Sequence, residues 1–223
     1  MRVEGAESTL CQPFLDALPV TGVAVSVFGG SMHETTVAAN DALAAKLDEL
    51  QFELGEGPRW EALRTRKPVL IPRVRRFDHA SWPVFAKTLL ETEVQALFVF
   101  PLAVGAMDTG VVELYSTDPG GLSHSEHATA LGLAESAGWA LLRRILTLNP
   151  PDDTGPQKDG SPLSRREIHQ ATGMVLAQTG STAAEALMLL RAHAFSHGRS
   201  LKETAGDVVG RRLDMTPSAK TKE

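Results

Sequence analysis

Between Asn149 and Pro162 the chain reads NPPDDTGPQKDGSP, and this stretch limits how everything else can fold. Its four prolines fix φ and remove backbone donors, and its two glycines add freedom, so neither helix nor strand continues through it. The chain must therefore fold as two bodies joined by a linker over 149–162. Charge divides at the same place. Residues 1–150 hold 12 Lys and Arg against 18 Asp and Glu, whereas residues 161–223 hold nine basic and six acidic residues plus three histidines. An acidic body with a mildly basic end permits a nucleic-acid partner for that end.

The first body, over 8–148, mixes strands and helices. Glu7 to Leu18 is amphipathic at helical spacing and stops at Pro19. Gly22-Val-Ala-Val-Ser-Val-Phe28 alternates with β-branched residues and predicts a strand, turned by Gly29-Gly30 into a partner over 34–39. Asn40 or Asp41 can cap a helix carrying Leu43, Leu47 and Leu50, and Gly55-Glu-Gly-Pro58 turns it into a short helix through Trp60 and Leu63. Further strands are expected at 69–71, 96–104 and 109–116, a helix at 83–90, and a capping box at Ser123-His-Ser-Glu126 opening a last helix through Trp139. Hairpin strands with helices at both ends predict an antiparallel α+β domain.

The second body, over 163–213, carries no strand signal. Ser164-Arg-Arg-Glu167, Thr182-Ala-Ala-Glu185 and Ser200-Leu-Lys-Glu203 each have the capping-box pattern ahead of helical apolar spacing. Ile168, Ala171 and Val175 mark the first helix, Ala183, Leu187, Leu190 and Ala194 the second, and Leu201, Ala205, Val208 and Val209 the third. Gly180 and Gly198 stand where helices stop. Three helices with so small a core favour a homodimer. Residues 214–223 are polar and are expected to form a disordered tail.

Several functions are excluded on composition. No apolar run spans a membrane and the N-terminus has no apolar signal core, so a cytoplasmic protein is expected. Cys11 is the sole cysteine, which rules out an internal disulfide and any cysteine-cluster redox chemistry. No phosphate loop and no Ser, His and Asp arrangement can be assembled from spacing, so no enzyme is expected. His193 and His197 share a helix face but have no third ligand nearby, and no metal site is expected. Trp60, Trp82, Phe85, Phe98, Phe100 and Tyr115 could line a ligand pocket or form ordinary core.

With these residues in view, the second body resembles an ANTAR domain, the RNA-binding module of bacterial transcription antitermination regulators. The resemblance rests on Gln170, Ala171 and Gly173, then Glu185-Ala186, Leu189-Leu190-Arg191 and Ala194, then Leu201, Ala205 and Val208-Val209. Thr172 stands where many such domains carry lysine. The first body resembles a GAF domain, through Leu47-Asp-Glu-Leu-Gln-Phe-Glu-Leu-Gly-Glu-Gly-Pro58 and Arg66-Lys-Pro-Val-Leu-Ile71. Together these imply a signal-responsive regulator that binds paired RNA stem-loops as a dimer and prevents a terminator from forming. A small-molecule signal for the GAF-like domain fits this reading, although no cofactor is required by the sequence.

RNA loops are read through unstacked bases and phosphates, so the site needs cations and donors on an open surface. The candidates are Arg165, Arg166, His169, Gln170, Thr172 and Gly173 on the first helix, Arg191 on the second, and Arg199 and Lys202 beside the last turn. Arg211 and Arg212 also end the third helix, where they oppose its dipole. Two alternatives share the three-helix pattern. One is a protein-association module on a ligand-sensing domain. The other is helix-turn-helix DNA binding, against which the final helix, LKETAGDVVGRRL, is poor in base-reading side chains near its start. Gly173 is the residue that most needs explaining, since a mid-helix glycine costs about 1 kcal/mol relative to alanine.

Overall fold

A computed structural model describes residues 4–28, 35–78, 80–148 and 165–216. The chain divides into two compact units, Met1–Leu163 and Ser164–Glu223. The expected linker, the Gly29-Gly30 turn and the Ser164 cap lie outside the described residues.

In the first unit the order is α1 (Glu4–Ala17), β1 (Gly22–Val27), β2 (Thr35–Ala39), α2 (Ala42–Leu54), α3 (Pro58–Thr65) and β3 (Val69–Ile71). It continues through α4 (Pro83–Leu90), β4 (Ala96–Val104), β5 (Met107–Ser116) and α5 (His124–Leu148). The strands form one sheet in the order β2-β1-β5-β4-β3, antiparallel at every pairing. Residues of β1 are buried throughout, because helices cover both faces. Val23, Val25, Phe98, Phe100 and Leu114 pack on one side with Phe14 of α1 and Ala134 and Leu141 of α5. Ala24, Leu97, Val99, Val111 and Tyr115 pack on the other, with Leu47 of α2, Ala62 of α3 and Phe85 of α4. The period-2 alternation of the strands thus feeds two cores at once.

The elements follow the sequence reading with local differences. Helix α1 begins at Glu4, three residues before the expected start. Strand β5 begins at Met107, because the tight turn at Gly105 (φ +60) brings Met107 opposite Val104. A single 3-10 turn at Val74–Arg76 has no counterpart in the reading. Asp41, not Asn40, caps α2 by accepting from the Ala44 amide at 2.7 Å, while Asn40 accepts from the Val23 amide. The Ser123 and Glu126 capping box forms as expected at the start of α5.

In the second unit α6 (Arg166–Thr179), α7 (Ala183–Ser196) and α8 (Leu201–Val209) pack around Ile168, Ala171, Val175, Ala186, Leu190, Ala194, Leu201, Ala205 and Val208. Reciprocal capping boxes close at Thr182 with Glu185 and at Ser200 with Glu203. Helix α6 takes Arg165 as its N-cap, with no side-chain cap bond. Ala183 is exposed and Ala186 takes the inward position, since the α7 core face runs through 186, 190 and 194. Of the tail expected from Asp214, the Met215 amide donates to Gln178 of α6 at 3.1 Å, and residues 217–223 lie outside the described residues.

Candidate nucleic-acid interface

The second unit turns one face of α6 outward. Arg166, Gln170 and Gly173 are all exposed and recur at i, i+4 and i+7, so they form one line along the helix. His169 stands half-buried beside it. The opposite face supplies the core through Ile168, Ala171 and Val175. A Cβ added at Gly173 would meet nothing within 4 Å. Packing inside the unit therefore does not require this glycine, and its bare backbone lies on the surface.

Two candidates fall on the wrong side. Arg165 is 1% exposed and Thr172 is 8% exposed. Thr172 lies next to Ala171 on the inward arc, and its hydroxyl donates to the Ile168 carbonyl at 2.7 Å, satisfying a buried polar group within its own helix. Neither side chain is open to a large partner. Arg191 is half-buried on α7, while Arg199 and Lys202 are exposed at the start of α8.

Electrostatics around α8 are mixed. Asp207 accepts from Arg199 at 2.6 Å and from Arg212 at 2.7 Å. These hydrogen bonds hold its carboxyl below the ordinary range. Arg199, Lys202 and Arg212 border an open groove that also contains Glu167, Glu203 and Asp207. The net positive charge of the segment is thus interleaved with acids, and Arg199 is already engaged. His193 and His197 stack at 4.0 Å, and His197 Nδ1 lies 2.8 Å from the His193 carbonyl. Burial, then the positive charge of His197 and Arg199, lowers the His193 pKa. Among the described residues no cluster of three or more metal-ligating side chains occurs, and no helix is long and apolar enough to cross a membrane.

The first unit holds a polar centre that sequence reasoning missed. Arg59 of α3 is fully buried, 2.9 Å from Asp48 of α2 and 3.4 Å from Glu113 of β5. Ser26 and Thr36 donate to Asp48, and the Gln51 amide donates to Glu113. Gln51 also accepts from the Arg59 amide, and its carbonyl accepts from the Trp60 indole at 2.8 Å. The rings of Phe28 and Trp60 flank the guanidinium at 5.3 and 5.6 Å. One signal could have exposed it: Glu113 interrupts the apolar run Val111-Val-Glu-Leu-Tyr115 on the same sheet face as Val111 and Tyr115. Gly57 belongs to this corner, with φ +127, and a Cβ there would strike Gln51.

The six aromatic residues cannot line one pocket. Phe98 and Phe100 point to the α1 and α5 side, whereas Trp82, Phe85 and Tyr115 point to the other. All five are buried and only Trp60 is partly open.

Known proteins match both units. A model of the GAF domain covers residues 7–142, and a model of the ANTAR domain covers residues 162–209. No curated protein matches the chain. Among solved structures, the chain is similar to the GAF domain of a phosphoenolpyruvate-protein phosphotransferase from Coxiella burnetii (12% identity, TM-score 0.52, 66% of this chain and 86% of that one). It is similar also to a GAF domain from Synechocystis sp. in its photoproduct state (16% identity, TM-score 0.51, 68% of this chain and 100% of that one). A third is the domain of a two-component sensor histidine kinase protein from Sinorhizobium meliloti (17% identity, TM-score 0.50, 66% of this chain and 95% of that one). At such identities these three establish the fold alone. With both family models matched over most of its length, the chain belongs to the GAF domain family and carries an ANTAR domain after it.

Proposed function

We propose that the chain is a non-catalytic, signal-responsive regulator that binds stem-loop RNA as a homodimer and promotes transcription antitermination in the cytoplasm. The reading rests on one observation: within the segment matched by the ANTAR model, Arg166, Gln170 and Gly173 form an open line on α6. A cation there contacts phosphate, an amide side chain offers paired donor and acceptor, and a bare glycine lets a base approach the backbone. Lys202 adds a second exposed cation. The GAF unit receives the signal, a small molecule in this reading.

Gel shifts of the full chain against RNAs with two stem-loops test it, with scrambled hairpins as competitors. Preference for the paired stem-loops at physiological salt, with affinity falling steeply as salt rises, is the expected result. Equal binding to the scrambled hairpins overturns it.

A further inference from the structure

Half of the cations of residues 1–150 crowd into one short segment. Residues 64–76, RTRKPVLIPRVRR, contain six Lys and Arg and no Asp or Glu, whereas the rest of 1–150 holds six basic residues against 18 acidic ones. All six, Arg64, Arg66, Lys67, Arg73, Arg75 and Arg76, are exposed. The packing of the segment explains why. Val69, Ile71 and Val74 turn into the core, and the Val74 amide donates to the Gln95 carbonyl at 2.8 Å. The charged residues on either side of β3 are left outside.

Most of this charge is not neutralised. Arg66 pairs with Asp108 at 2.9 Å. Arg75 donates to the Leu90 and Thr92 carbonyls, both at 3.1 Å, and neutral carbonyls leave its charge in place. Among the described residues, Arg64, Lys67, Arg73 and Arg76 make no ion pair and no side-chain hydrogen bond. Four carboxylates stand close in sequence to the patch or to the carbonyls that Arg75 meets: Glu61, Asp78, Glu91 and Glu93. None of them forms an ion pair with these cations among the described residues, and Asp78 accepts from the Ala80 amide instead.

The spacing and the surroundings favour a polyanion. Lys67 and Arg73 lie on opposite sides of β3, up to about 20 Å of extended chain apart, so one small anion cannot meet both groups. A peptide strand added to this edge is disfavoured, because β3 spans only three residues between Pro68 and Pro72. A second copy placed about a two-fold axis here would set cations against cations. RNA presents phosphates in a row, and the planar guanidinium, which five of the six residues carry, matches phosphate geometry. The acidic remainder of 1–150 repels a polyanion elsewhere, so it would approach by this edge.

We propose that the cations flanking β3 form a second RNA-binding surface, which grips the phosphate backbone without reading bases. This rests on the RNA-binding reading given above. The second unit then supplies the preference for stem-loops, while this edge of the GAF unit adds affinity that is independent of sequence.

The test uses the full chain and the RNA with two stem-loops. The double variants Arg64→Ala with Lys67→Ala, and Arg73→Ala with Arg76→Ala, should each weaken binding severalfold at physiological salt. Each should also reduce the salt slope by about two units. Preference over scrambled hairpins should stay as in wild type, and melting followed by circular dichroism should be unchanged. Arg73→Lys with Arg76→Lys should keep the slope. Binding within twofold of wild type and an unchanged slope in both alanine pairs, while wild type still prefers the paired stem-loops, overturns the surface and leaves the RNA reading intact. A wild-type chain that binds no RNA overturns both. If the alanine pairs abolish self-association of the chain in sedimentation without RNA, the patch is a docking site for the acidic surface of another copy, and the proposal is overturned.

Discussion

Arg59 and Asp48 meet at 2.9 Å with neither side chain open to solvent. Charges taken out of water are costly unless they are paired, and here Ser26, Thr36, Gln51 and Glu113 supply partners within the cluster. The cluster ties α2, α3, β1, β2 and β5 together at the centre of one sheet face.

Removing one partner therefore leaves a buried charge without its match. Arg59→Ala and Asp48→Asn should each cost about 3–5 kcal/mol of stability, read as a lower urea midpoint for the first unit. The exposed pair Arg66 and Asp108, also at 2.9 Å, gives the contrast. Asp108→Asn should cost no more than about 1 kcal/mol. Equal losses at the two sites would show that burial is not what gives the Arg59 cluster its weight.

Asp207 restrains two arginines on the face of α8. Its carboxyl is held low by hydrogen bonds from Arg199 and Arg212. A depressed folded-state pKa contributes stability above the ordinary value of 3.8 and loses it as pH falls through the folded value. The clasp thus stays closed at neutral pH. Asp207→Asn should release both cations, raise RNA affinity severalfold at low salt and steepen the salt dependence by about two units of slope. Unchanged salt dependence in a gel-shift series would show that neither arginine reaches phosphate.

Gly173 lies on open surface, so a side chain there has room. Gly173→Ala should raise the melting temperature of the second unit, worth about 1 kcal/mol of helix propensity. Gly173→Leu should fold equally well yet lose RNA binding. A Gly173→Leu chain that fails to fold would mean that another surface covers this position.

The capping boxes are pH-dependent stays. Hydrogen bonds from the backbone and hydroxyl of Thr182 and of Ser200 lower the pKa of Glu185 and Glu203. Thr182→Ala should cost about 1 kcal/mol at neutral pH. Because the glutamate pKa is depressed, the difference from wild type should shrink as pH falls below the ordinary value of 4.5. Thermal melts at pH 7 and pH 3 check this.

The helices of the second unit were legible because their signals are local. A cap three residues from its glutamate and a glycine after the last turn are both written in sequence order. The strands were legible for the same reason, through alternation. Which residues at the start of α6 and along it face outward was harder, since the N-cap Arg165 is polar yet buried and Gly173 is small yet exposed. Polarity predicts exposure only on average. Arg59 was invisible because its partners stand 11 and 54 positions away, on α2 and β5. Only the topology brings them together.

The sheet's edges carry a last consequence. Its outer strands, β2 and β3, span five and three residues, and β3 stands between Pro68 and Pro72. A long flat edge would offer unpaired amides and carbonyls to the edge of any neighbouring molecule. These edges offer few, and proline removes donors just where β3 could lengthen. Short edges of this kind leave little template for intermolecular strand pairing.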